Sequence, residues 1–161
     1  MSDNPYASPT AATLDAPRGD VTGPIWNPNA AIWWSLLFSP MFGTILHMKN
    51  WQALGKPEKA AQSKTWLIVN LLLFVAITAA ELVFPALGEH FFSKFSGLLL
   101  LIVWYVGNAR DQVQYVEYHL GPHYARRGWG QPLLYALLVV GILFAVIFAI
   151  SFGMAALEEA A

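Results

Sequence analysis

Four apolar stretches divide this chain of 161 residues, at about 30–48, 66–84, 92–108 and 133–153. A helix needs ~20 apolar residues to cross the hydrocarbon core of a bilayer, and three of the stretches meet that length cleanly. Hydrocarbon admits only backbones that satisfy their own hydrogen bonds, so long apolar runs without strand-like alternation predict helices. The expected fold is therefore all-α, a polytopic membrane protein with four transmembrane helices in a small bundle spanning residues 27–157. The third stretch is the shortest, because its unbroken apolar core runs only from Leu98 to Val106. Phe91, Phe92 and Phe95 lengthen it, and Lys94 can snorkel to the surface. The alternative at this point is three spans plus a re-entrant segment.

Local signals set the boundaries. Asn27 can cap a helix whose first residue is Pro28, where the missing N–H costs nothing. Pro40 interrupts the first stretch, AAIWWSLLFSPMFGTILHM, so a kink or break is expected near Ser39. Gly55 suits the position just past a helix end, and Pro57 opens the next helix. Pro85 and Gly88 end that helix. Beyond the third span, Val113, Val116 and Leu120 share one helical face, and Gly121-Pro122 stops the run. Residues 1–26 are polar and carry Pro5, Pro9, Pro17 and Pro24, which predicts a disordered tail and no signal peptide.

Composition agrees with a membrane location. Hydrophobic residues are 57% of the chain and charged residues 12%, against roughly 25% charged in soluble domains. The net charge of −1 gives no reason to expect a nucleic-acid partner, and the absence of cysteine excludes disulfides and thiolate metal sites. Of nine basic residues, Lys49, Lys56, Lys59 and Lys64 fall in one loop and Arg110, Arg126 and Arg127 in another. Such loops stay in the cytoplasm, so a four-span chain places both termini in the periplasm. Trp51, Trp66, Trp104, Tyr105, Trp129 and Tyr135 would line the cytoplasmic interface, with Trp26, Trp33 and Trp34 at the other.

Candidate chemistry is sparse. Gly141, Ala145, Ala149 and Gly153 recur every four residues and line one face of the fourth span, the pattern that lets two helices approach closely in lipid. They are the candidate helix-packing residues, within the bundle or between copies. Asn70 and Glu81 are the candidate intramembrane polar residues. Intramembrane carboxylates often mark ion paths, and Asn70 is expected to bond a neighbouring helix. His119 and His123 have the i, i+4 spacing of paired metal ligands, but Gly121-Pro122 between them should break the helix. Asn108, Arg110 and Asp111 are expected to cap and pair at a helix end. No Ser-His-Asp order, phosphate-binding glycine loop or HExxH motif occurs, so no catalytic, cofactor or metal site is assigned.

The opening NPYASP resembles the Asn-Pro-Tyr-x-x-Pro start of small multi-pass bacterial inner-membrane proteins. The string FSPMFGTILHMKNWQALGKPEKA is similar to one found in the same loose group, with its Asn-Trp-x-Ala-Leu-Gly loop. The resemblance covers about a quarter of the chain. It implies a bacterial inner membrane and carries no activity, ligand or residue role. The expected function is a non-enzymatic membrane protein that works through helix–helix or protein–protein association, with membrane lipid as its surroundings. Alternatives are a small oligomeric transporter or channel subunit, and an immunity or accessory protein for a membrane-acting partner.

Overall fold

The computed structural model describes residues 23–84 and 91–160, and every regular element among them is helical. The expectations for the tail before Gly23 and for Pro85 and Gly88 lie outside the described residues. Helix α1 is Pro28–Leu37, α2 is Pro40–Ala53 and α3 is Pro57–Val83. Helix α4 is Phe91–Trp104 and passes through a π-helical turn, Tyr105–Ala109, into α5, Arg110–His119. Helix α6 is Gly130–Ala160.

Three helices start on the same device. Asn27-Pro28, Ser39-Pro40 and Lys56-Pro57 each put proline in the first turn. Asn27 Oδ1 accepts from the N–H groups of Asn29 and Ala30, and Ser39 Oγ accepts from that of Phe42. Helix α2 ends as expected at Gly55, whose φ of 64° lets the Lys56 N–H reach the Trp51 carbonyl and the Gly55 N–H that of Gln52. Gly121, at φ 63°, follows the end of α5.

The expected first span is a pair of short helices. The break at Ser39 is present, but the chain reverses there instead of continuing. Asn50 bonds the backbone of Trp26, His47 meets the Pro28 carbonyl, and Gly43 packs on Ser35. Contacts that descend in one arm as they rise in the other define an antiparallel hairpin. Ten residues of α1 reach ~15 Å and fourteen of α2 ~21 Å, both short of a ~30 Å hydrocarbon core. Pro40 at a helix start, with Ser39 capping it, begins a new helix rather than kinking an old one. The reversal therefore falls in the first stretch, and the third shows none among the described residues.

Helices α3 and α4 form a second antiparallel pair. Ser63 meets Asn108, and Gly107 lies against the Trp66 ring so closely that any added methyl would overlap it. Helix α2 packs along α3, and Trp104 of α4 fills the space beside Gly43 and His47. Outside these pairs, α5 folds over the hairpin base, with Val116 in a small core with Ile25, Trp51, Leu54 and Ala60. Two helices, over Pro57–Ala80 and Gly130–Gly153, are long and apolar enough to cross a membrane. A four-span bundle is thus not confirmed: beside these two helices stand the shorter α4, packed on α3, and the α1–α2 hairpin.

The segment before α1 lies with the two basic loops. The Ile25 N–H donates to the Ala125 carbonyl at 3.1 Å, and the Arg127 N–H to the Ile25 carbonyl at 2.8 Å. Trp26 Nε1 donates to the Gly128 carbonyl at 3.0 Å, and Trp34 lies beside Trp129. This contradicts the expectation that residues 23–28, Trp26 included, sit across the membrane from those loops. A hairpin returns the chain to the side it left, so both ends share one face.

Candidate functional site

The densest chemistry is a buried polar layer where the hairpin base, α3, the π-helical turn and α5 meet. His47 and Asn50 come from α2, Ser63 from α3, Trp104 from the end of α4, Asn108 from the π-helical turn and Gln112 from α5. All six side chains are buried. Asn50 is its centre. Its Oδ1 accepts from the Trp26 N–H at 2.9 Å, and its Nδ2 donates to the Trp26 carbonyl at 2.8 Å and to Gln112 Oε1 at 3.0 Å. Gln112 Nε2 donates in turn to the His47 carbonyl at 2.8 Å. Two amides therefore tie α5, the base of α2 and the strap before α1.

A second link joins α3 to the π-helical turn, where Ser63 Oγ donates to Asn108 Oδ1 at 3.1 Å. The π turn rotates Asn108 inward, and π-helical insertions are a common way to re-aim one residue. Asp111 pairs with Lys59 across the surface at 2.9 Å. The expected capping and pairing among Asn108, Arg110 and Asp111 is thus replaced by links to α3. The Lys59–Asp111 pair is half-exposed and stabilises little. His47 Nδ1, Trp104 Nε1 and Asn108 Nδ2 are buried and make no hydrogen bond among the described residues. Each such group costs about 1–3 kcal/mol.

Above this layer, a cavity of about 430 Å³ opens beneath the hairpin tip. Ser35, Ser39 and Asn70 supply its polar wall, and Phe38, Phe74 and Leu98 part of its apolar one. Helix α1 ends and α2 begins at this cavity. Irregular backbone at membrane depth is tolerated where it is buried in protein or lines a cavity.

The residues singled out in the sequence do not converge. Asn70 is buried on the cavity wall, but its Nδ2 donates to the Trp66 carbonyl of its own helix at 2.8 Å. Among the described residues no interhelical bond from that amide is made. Glu81 is on α3, and its side chain lies outside the described residues, as does that of Lys94. Gly141, Ala145, Ala149 and Gly153 are all exposed, and an added methyl at Gly141 or Gly153 would meet nothing within 4 Å. His119 is exposed, stacks on Tyr115 at 4.2 Å and has Nδ1 3.1 Å from the Tyr115 carbonyl. His123 lies beyond the end of α5, so the two imidazoles do not share a helix turn.

Sequence reasoning missed His47, Asn50 and Gln112. A signal existed in α2, where Gly43, His47, Asn50 and Leu54 fall at the spacing of one helical face. No protein-family model matches this chain, and no curated protein or solved structure does. The chemistry on the page is that of neutral amides, one buried imidazole and indole rings. It holds elements together and offers hydrogen bonds. Among the described residues no group of three or more acids and histidines could hold a metal ion.

Proposed function

We propose that the chain is a multi-pass protein of a bacterial inner membrane that acts by helix association rather than catalysis, with a second copy of itself as partner. Helices α3, α4 and α6 are its crossings, and the hairpin α1–α2 enters halfway from the cytoplasmic side. Helix α4 counts as a crossing because it runs back along α3 as one uninterrupted helical stretch to the level of Ser63. The observation that carries the reading is α6. Pro132 and Ala136 in its first turns are buried, yet every residue from Gly141 to Gly153 is exposed. The small residues Gly141, Ala145, Ala149 and Gly153 line one side of that free length. In lipid, association depends on close packing, and small residues allow it.

The protein lacks cysteine, which makes the test direct. Ala145→Cys should form a cross-linked dimer on mild oxidation in native membranes. Ile147→Cys, on the opposite face, should not. Equal cross-linking at both positions, or none at Ala145, sinks the dimer reading.

The cavity at the hairpin tip favours one second reading, a subunit of a transporter or channel. Broken backbone beside Asn70 at membrane depth is the kind of site at which transporters hold ions. Ion flux through liposomes carrying the protein, lost in Asn70→Leu, would establish it. Liposomes that stay tight would remove it.

A further inference from the structure

A second, smaller pocket of about 250 Å³ lies at the base of the hairpin, lined by Gly23, Lys49, Gln52, Ala53 and Arg127. We propose that it binds a phosphate group, carried by an anionic lipid headgroup or by a free phosphate. Two cations and an amide face it and no acid lines it. The cations stand 78 positions apart in sequence, and the pairing of Ile25 with Ala125 and Arg127 brings them to one pocket.

Arg127 is held in place before any ligand arrives. Its guanidinium lies 4.7 Å from the centre of the Trp26 ring. Trp26 is itself fixed, by Asn50 on its backbone and by the Gly128 carbonyl on its indole N–H. Stacking occupies the face of the guanidinium and leaves its edge N–H groups for oxygen, the geometry that suits phosphate. A pre-ordered arginine loses little side-chain entropy on binding. Lys49, exposed on α2 and in no ion pair among the described residues, supplies the second charge. Gln52 adds an amide donor one turn away. Arg110, also exposed and cationic, lies outside this pocket and makes the natural control.

Depth fits a headgroup. The tip at Ser39 lies ~20 Å along α2 from Gln52. A hairpin that enters hydrocarbon from the cytoplasmic side therefore leaves this pocket at the headgroup layer, where basic side chains meet anionic lipid. The lipid source rests on the membrane reading, whereas a free phosphate does not.

The test uses the full chain in neutral detergent. Retention of phosphatidylglycerol against phosphatidylcholine is measured by native mass spectrometry, and stabilisation by inorganic phosphate against chloride at matched ionic strength by thermal shift. Each lost charge should weaken the response about five-fold, so Lys49→Gln gives about five-fold and Lys49→Gln with Arg127→Gln about thirty-fold. Arg110→Gln should leave it within about two-fold, well below the roughly five-fold effect of a charge in the pocket. A response to phosphatidylglycerol alone assigns the headgroup, and one to inorganic phosphate assigns a solute. Either supports the site when the pocket variants abolish it. Lys49 makes no hydrogen bond among the described residues, so Lys49→Gln reads the site even if the double variant fails to fold. No response to either probe, or an Arg110→Gln loss as large as that of Lys49→Gln, overturns the proposal.

Discussion

Asn50 satisfies three partners with one buried side chain. Replacing it with Leu strands the Trp26 N–H, the Trp26 carbonyl and Gln112 Oε1 in a buried layer. At about 1–3 kcal/mol for each unmet group, Asn50→Leu should cost about 3 kcal/mol or more. Asn70→Leu should cost about 1 kcal/mol, since its donor only closes a bond to its own helix and the freed carbonyl keeps a helical partner. Thermal unfolding in detergent compares the two, and a larger loss at Asn70 would refute this ranking. The ranking was not legible in the sequence. Asn70 stood out because its neighbours are apolar, whereas Asn50 and Gln112 sit on helix ends that read as lying beyond the membrane. Burial by elements distant in the chain decides the matter, and no local pattern reports it. Caps were legible, because Asn27 and Gly55 act on backbone within four residues.

At the scale of elements, the hairpin is where pattern and structure part. A run of about nineteen apolar residues has the same composition whether it crosses once or enters and returns. Only Ser39-Pro40 separates the cases, and it is the same cap-and-proline pair that starts α1. Gly43 then lets the arms close, since a methyl there would overlap Ser35 and the Trp104 ring. A returning hairpin makes an unusual demand on access. Gly23→Cys and Lys49→Cys, at its two ends, should react with a membrane-impermeant thiol reagent from the same side of the membrane. Leu37→Cys, exposed on the protein but near the tip, should resist that reagent from both sides. Labelling of residues 23 and 49 from opposite sides would restore a single crossing and refute the hairpin. The π-helical turn at Tyr105–Ala109 was equally hidden, because the fit of its Gly107 to the Trp66 ring depends on a helix distant in the chain.

For the whole molecule, the proposed orientation rests on the charge distribution and the hairpin together. Seven of the nine basic residues flank the base of the fold, and the residues entering α1 join them there. Positive loops remain in the cytoplasm. With four crossings, that rule sent both termini outward. With a returning hairpin and the three crossings proposed above, it would keep the start of the chain inside and send only the end of α6 out. The apolar pattern had made the helices legible, two of them long and apolar enough to cross a membrane. The number of crossings was not, since it turns on one reversal within an apolar run. The two counts differ in a single observable. A fluorescent protein that folds only in the cytoplasm should glow when fused before Met1 and stay dark when fused after Ala161. Alkaline phosphatase, active only outside, should give the reverse. Phosphatase activity at both ends would return four crossings, and with them a hairpin that has to open into a continuous helix. It would also move the strap at Ile25 away from Ala125 and Arg127, so the polar layer around Asn50 and the pocket at Lys49 would fall with it.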